Sequence, residues 1–373
     1  MMEEAWFAGR RGRGVLDFRE GADLFRALGN GGNWLVVADF EGRVRGWRMK
    51  EVADVSFEEA SAPLSSEPAQ QPSAHPLRAP WNGPRADSWS SSLDQREYTS
   101  AVSATRDYIA EGTVYQANIC RVMSAPLPSP GHPAALTRIL AMHNPAPHLG
   151  YALIEHPDPS RSLWIASASP ELYLQVEPHE NGATISSRPI KGTGRQRSDL
   201  TEKDEAENVM ITDLVRNDIS PLCTPGTVAV RDFLKVEEHP GLFHLVSTVE
   251  GEIPLERARS SRIWEEVFAA MYPPGSVSGA PKSSALRIIS ELETHPRGPY
   301  CGAIGWIDAD RMSAILSVGI RTFWWETGCC ERGSLHFGTG AGITWGSDPQ
   351  REWEETQLKA ERLVALASQG GAA

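Results

Sequence analysis

Residues 302–325 read GAIGWIDADRMSAILSVGIRTFWW. Two runs rich in β-branched and aromatic residues, GAIGWIDA and MSAILSVGIRTFWW, flank the polar pair Asp310-Arg311, as in two strands joined by a turn. The same pairing recurs upstream. NWLVVADFEGRVRGWRM (33–49) alternates about a turn at Glu41-Gly42, and SLWIASASPELYLQVEP (162–178) reads as strand, turn, strand. Strands in neighbouring pairs predict an α+β fold with large antiparallel sheets, not a doubly wound parallel sheet.

Between these pairs lie helical stretches. QREYTSAVSATRDYIAEG stops at Gly112, and TEKDEAENVMITDLVRND opens near Asp199 or Thr201 with acids in its first turn. SRIWEEVFAAMYPPG ends at paired prolines, KSSALRIISELE follows, and QREWEETQLKAERLVALA forms the terminal helix. Residues 57–92 are rich in Pro, Ser and Ala without periodicity, which predicts a mobile linker or surface loop. The organisation expected is strands over 1–56, this linker, a main domain over 93–368 and a flexible tail at 369–373.

Composition narrows the partners. The 373 residues carry a net charge of −12, which argues against nucleic acid or an anionic membrane as the main partner. No apolar run approaches the ~20 residues of a membrane span. The opening MMEEAWFAGRRGRG places acids before basics without an apolar core, so no signal peptide is expected. Cys120, Cys223, Cys301, Cys329 and Cys330 lack metal spacing and read as reduced thiols of a cytoplasmic protein.

Two glycine-rich stretches invite comparison with nucleotide motifs. PGSVSGAPKSS is not a P-loop, because Ala280 and Pro281 separate Gly279 from Lys282. HFGTGAGITWGS spaces Gly338, Gly340 and Gly342 two apart, unlike a dinucleotide fingerprint. It reads either as a glycine-kinked strand or as backbone left bare for a ligand. Acids on two helices also leave a choice open. Asp204 and Glu207 share one face, and Glu352, Glu355 and Lys359 share another. They are either solvated faces or oxygen donors to a hard cation such as Mg²⁺.

Taken in order, SASPELYL, RPIKGT, DEAENVMITDLVRND, HLVSTVEGE, GSVSGAPK, YCGAIGW, GIRT and GTGAGITWGSDPQREWEETQLKA resemble the chorismate-utilising enzymes. That family includes anthranilate, isochorismate and aminodeoxychorismate synthases. The likeness spans about Tyr98 to Leu366. Lys191 in PIKGT, where anthranilate synthases usually carry alanine, and Asn208, where they tend to have histidine, look like component I of aminodeoxychorismate synthase. The resemblance implies two large antiparallel sheets packed face to face, flanked by helices, with the active site between them. The N-terminal 56 residues would add strands to that fold.

The resemblance also assigns roles. Lys191 would attack ring carbon 2 of chorismate while the carbon 4 hydroxyl leaves, and ammonia would then add at carbon 4 and expel the lysine. The amine must lose its proton, and desolvation by Pro189 and Ile190 with Arg188 as a positive neighbour is expected to help. Glu171 matches the general acid, and His244 and Ser276 fall where the family contacts the ring. Glu207 and Glu355 match the principal Mg²⁺ ligands, with Asp204 and Glu352 supporting. Tyr300, Arg321 and the backbone of Gly340, Ala341 and Gly342 would meet the second carboxylate. Lys359 would reach the metal-bound one, and Thr193 of the PIKGT motif would also touch substrate. Ser313 departs from the aspartate many relatives carry.

No cysteine sits in a glutaminase-like turn, so a separate glutamine amidotransferase subunit is expected to supply ammonia. No lyase extension is expected either, so the product would keep its pyruvyl group. The rival readings are anthranilate synthase component I, an isochorismate or salicylate synthase, and a non-catalytic chorismate-binding subunit.

Overall fold

The computed structural model describes residues 2–60, 80–194, 196–239, 242–327 and 333–368. The N-terminal strands are β1 (Glu3–Phe7), β2 (Arg10–Glu20), β3 (Asn33–Ala38) and β4 (Val44–Asp54), with α1 (Gly21–Leu28) after β2 and α2 (Phe57–Ala60) after β4. Then come β5 (Ser90–Ser91), α3 (Gln95–Ala110), β6 (Gln116–Pro126), α4 (Pro133–His143), β7 (His148–Ile154), β8 (Leu163–Ser169), β9 (Leu172–His179), β10 (Gly182–Arg188) and β11 (Ile190–Gly194). The middle holds α5 (Glu202–Ile219), β12 (Ala229–Val230), β13 (Lys235–His239), β14 (Leu242–Val246), β15 (Val249–Pro254), α6 (Leu255–Ala258) and α7 (Ile263–Met271). The last elements are β16 (Gly279–Ala280), α8 (Lys282–Leu292), β17 (Ala303–Asp308), β18 (Ser313–Val318), β19 (Thr322–Thr327), β20 (Gly333–Ile343) and α9 (Pro349–Ala367).

Among the described residues, seventeen strands form one antiparallel ladder. Its order is β12–β15–β10–β9–β18–β17–β3–β4–β2–β1–β7–β8–β19–β20–β6, with the short β5 and β16 both on β6. The two expected layers are therefore halves of one ribbon. The corner is the β2–β4 pair, 11 residues in each strand. The first half of β4 holds β3, the first half of β2 holds β1, and a register shift between Val15 and Asp17 bends the pair. Residues 2–56 thus sit mid-ladder.

The two halves pack face to face. Trp306, Leu316 and Leu174 of one half and Ile119, Ile165 and Ile343 of the other lie in a single buried cluster. The outer face of the second half, with Tyr151, Trp164 and Phe337, is covered by Leu136 of α4 and Leu363 of α9. A separate three-stranded sheet, β11–β14–β13, packs beside α5. Within 57–92, residues 61–79 lie outside the described residues, as do the tail 369–373 and Cys329-Cys330. The flanks of that stretch pack: Phe57 meets Trp6, and buried Trp81 donates to the Ala367 carbonyl. No described helix is long and apolar enough to cross a membrane.

The helix starts follow from their caps. Asp94 and Thr201 each form a capping box with the acid three residues on, Glu97 and Asp204. One sequence reading needs correction. MSAILSVGIRTFWW is two strands and not one, because it breaks at Gly319–Arg321. β18 belongs to the first half, paired with β17 and β9, whereas β19 belongs to the second, paired with β8 and β20. The chain crosses between layers there. It crosses again at Pro170-Glu171, where β8 of the second half passes to β9 of the first.

The two crossings run side by side. Ala168 N–H donates to Arg321 O (3.0 Å), Val318 N–H to Glu171 O (3.0 Å) and Ser169 Oγ to Val318 O (2.6 Å). Ser169 is fully buried, so Ser169→Ala should lower unfolding free energy by about 1 kcal/mol in urea titration. An unchanged midpoint would show the crossings hold without that hydroxyl.

Candidate active site

Both crossings deliver a functional side chain. Glu171, 4% exposed, sits just before β9. Burial raises its carboxyl to about 7, against the opposing pull of Ser276, the charge of Lys191 and the Ile190 backbone. Arg321 sits just before β19 with φ +51°, a left-handed conformation rarely adopted by a non-glycine residue. Among the described residues its guanidinium has no ion pair or hydrogen bond, and burial alone lowers its pKa. An unpaired, partly desolvated guanidinium is a ready acceptor of a carboxylate.

Lys191 extends from β11, and its Nζ donates to Ser276 O at 2.8 Å. The Ser276 carbonyl also takes Asn118 Nδ2 at 2.9 Å, which ties the loop before β16 to β6. Arg297, 1% exposed, reinforces this junction. It pairs with Glu293 (2.6 Å) and donates to Asn118 O (2.8 Å) and Val277 O (3.0 Å). The expected positive neighbour of Lys191 is engaged elsewhere: Arg188 Nη2 meets Glu237 Oε1 at 2.6 Å. His244 is buried on β14, directly across from Thr193 of β11 and Glu237 of β13. Asn208 ties α5 to β14 by donating to Leu245 O (3.0 Å) and accepting from Ser247 Oγ (2.5 Å).

One carboxylate of α5 and one of α9 meet at the ammonium of Lys203. Its Nζ lies 3.8 Å from Glu207 Oε1 and 3.4 Å from Glu352 Oε1. Burial raises Glu207 despite the charges of Lys191 and Lys203. Burial pushes Glu355 the same way, but Lys359 (2.5 Å), Lys203 and Lys191 outweigh it and lower its pKa. Lys359 Nζ also reaches Gly340 O at 3.2 Å. Asp204 accepts from both the backbone N–H and the hydroxyl of Thr201 in its capping box. Among the described residues no three His, Cys, Asp or Glu side chains stand close enough to hold a metal ion as placed. Yet Glu352 Oε2 is buried without a partner, and the donors are all carboxylate oxygens. That set fits a hard cation once Lys203 withdraws.

The glycine-rich strand is not kinked. β20 pairs with β6 in unbroken register from Ser334 to Ile343. Its glycines make room for neighbours instead: a Cβ at Gly338 would lie 2.0 Å from the Tyr300 ring, and one at Gly342 would lie 2.2 Å from Gln116 Nε2. Tyr300 is buried against this strand, and Ala341 lies between the two glycines that face β6. Gln116, fully buried with both amide atoms unpartnered among the described residues, was not anticipated from sequence; nor were Lys203 and Arg297. Nothing local marks them. Ser313 starts β18 opposite Asp308, at the hairpin end.

A family model described as chorismate binding enzyme matches residues 36–365. Anthranilate synthase component 1 of Thermus thermophilus is 36% identical over 284 residues, 73% of this chain and 56% of that protein. Aminodeoxychorismate synthase component 1 of Bacillus subtilis is 32% identical over 300 residues, 76% of this chain and 59% of that one. The chain thus spans little more than half the length of these relatives. An isochorismate synthase structure from Bacillus anthracis shares the fold, with TM-score 0.74 at 20% identity over 98% of this chain and 96% of that one. With that family match over most of its length and the matching fold, the chain belongs to the chorismate-binding enzymes.

Proposed function

We propose that the protein aminates chorismate at ring carbon 4 to give 4-amino-4-deoxychorismate, with ammonia from a separate glutaminase subunit. The observation that carries this reading is the Lys191 amine lying against Ser276 O, beside the buried carboxyl of Glu171.

Lys191 Nζ bonds to ring carbon 2. The two ring double bonds shift towards carbon 4, and the carbon 4–oxygen bond breaks. Glu171, half-protonated near pH 7, gives its proton to the departing hydroxyl, which leaves as water. Ammonia then bonds to carbon 4, the double bonds shift back, and the carbon 2–nitrogen bond breaks. Glu171, which took the proton shed by the Lys191 nitrogen after its bond to carbon 2 formed, returns that proton to the nitrogen as it leaves and takes one from the new carbon 4 ammonium, so Lys191 departs as a neutral amine. Covalent catalysis thus splits a same-carbon substitution into two displacements. Arg321 and the Gly340–Gly342 backbone suit the side-chain carboxylate.

Glu207 and Glu355, with Glu352 and Asp204 in support, are the residues that would hold Mg²⁺. The ion would neutralise the ring carboxylate when bound. Lys203 must move aside for it, so the free protein keeps its carboxylates balanced by an internal cation.

A second reading is anthranilate synthase component 1, favoured by the 36% identity to the Thermus protein. Incubation with chorismate, Mg²⁺ and ammonium chloride separates the two. A product that keeps its pyruvyl group in mass spectrometry is expected, and anthranilate fluorescence without added lyase would overturn the proposal. Lys191→Ala should abolish ammonia-dependent product while chorismate still binds by calorimetry, and enzyme quenched without ammonia should carry an adduct on Lys191. An unchanged rate in that variant removes Lys191 from the mechanism.

Glu171 also predicts a pH profile. Its acid form is lost as pH rises through about 7, so kcat should fall on the alkaline side of that value. Glu171→Gln should lower kcat by about 10²–10⁴-fold and remove that limb. A variant that keeps the limb would assign it to another group.

A further inference from the structure

Behind Glu171 lies a small polar cavity that the proposed chemistry does not yet use. Its wall includes Glu171, Tyr173, Ser187, Val215, Asp218 and Ser276, and it is about the size of one water molecule. It therefore touches the active site through Glu171 and Ser276 and runs back along α5. Tyr173 projects from β9, two residues beyond Glu171, and is 4% exposed. Its hydroxyl is buried and has no hydrogen-bond partner among the described residues. A buried phenol without a partner loses free energy unless something small fills the gap.

The far wall is charged. Asp218 on α5 accepts from Lys282 Nζ at 2.6 Å, and its side chain is 14% exposed. It therefore links the cavity to the solvent edge. A Cβ added at Gly275, the residue before Ser276, would lie 3.8 Å from Asp218 Oδ2. The carboxylate thus faces the same short loop whose next carbonyl holds Lys191.

The polar groups of this wall are mostly acceptors. Two carboxyl groups and the hydroxyls of Ser187 and Ser276 can accept hydrogen bonds, and the Tyr173 hydroxyl can donate one. Ammonia has three N–H donors and one lone pair, so it matches this set better than water, which has two donors and two acceptors. We propose that the cavity is the holding site for the amine nucleophile. Ammonia rests there with its lone pair on the Tyr173 hydroxyl and its three N–H groups towards Glu171, Asp218 and Ser187, held for reaction at carbon 4. The inference rests on the chorismate-amination reading. No bond is made or broken in this site; it positions a molecule that reacts at carbon 4.

Steady-state kinetics with ammonium chloride as the amine source test it. Tyr173→Phe should raise KM for ammonium about tenfold, the effect of one lost hydrogen bond, and leave KM for chorismate unchanged. Val215→Ile, which adds one methylene at the cavity wall, should shift KM for ammonium in the same direction. Chorismate binding by calorimetry and a urea midpoint establish that each variant is folded. If both folded variants bind chorismate and keep the wild-type KM for ammonium, the cavity holds a structural water only and the inference falls, while the amination reading stands. If the wild-type protein forms no ammonia-dependent product, the amination reading falls first and the inference with it.

Discussion

The site depends on two chain crossings locked together. Where β8 passes to β9 and β18 passes to β19, the backbone leaves one layer of the sandwich for the other. The bonds from Ala168 to Arg321, from Val318 to Glu171 and from Ser169 to Val318 hold the two passages in register. A loop would leave an acid and a guanidinium free to wander. Here each is fixed within a residue or two of strands paired on both sides, in the gap between layers. The positive φ of Arg321 belongs to the same constraint: the chain must turn sharply to change layers, and the ladder on each side holds the strained residue in place.

Charge balance explains why so many carboxylates can share this gap. Glu207, Glu352 and Glu355 would repel one another if left alone with Glu171 nearby. Lys203 takes the first two, Lys359 takes the third, and the charge of Lys191 opposes the burial that raises Glu171 and Glu207 and adds to the lowering of Glu355. Arg321 is the exception, a cation with no acid beside it. On the proposed reading, a dianionic ligand with its carboxylates at opposite ends would meet both conditions at once, one end at the guanidinium and the other at a cation replacing the lysine held by α5 and α9.

Much of this was legible in the chain. Alternating hydrophobicity located the hairpins, because one face of each strand is buried against the opposite layer. Capping chemistry put the start of α5 at Asp199 or Thr201, and Thr201 is the cap. The motifs of the resemblance name Lys191, Glu171 and Ser276, and the Lys191 amine lies on the Ser276 carbonyl near Glu171, while the glutamates of α5 and α9 are shared between Lys203 and Lys359. Tertiary geometry decided the rest. Nothing in SVGIRT says that its two halves pair with different layers, since both are apolar. Arg188 looked like a neighbour of Lys191 by position, but it ends β10 of the large ladder whereas Lys191 lies on β11 of the separate sheet, and it meets Glu237 instead. The glycines of β20 suggested either a kink or backbone left bare for a ligand; the strand is unbroken, and Gly338 and Gly342 leave room for Tyr300 and Gln116. Gln116 itself is unremarkable in sequence. Only burial without a partner singles it out.

The layout also explains how one fold can serve different nucleophiles. A shared fold does not select a reaction. The ladder, its corner at β2–β4 and the two crossings fix where a ring and its carboxylates can lie. Lys191 stands apart from that frame. It extends from the separate sheet of β11, β14 and β13, and its amine reaches the frame only through the Ser276 carbonyl. A change of side chain there removes one donor and leaves every ladder bond intact. The chemistry can therefore shift at a single position without a cost to the core, whereas a change at Ser169 or Arg321 disturbs both the frame and the site.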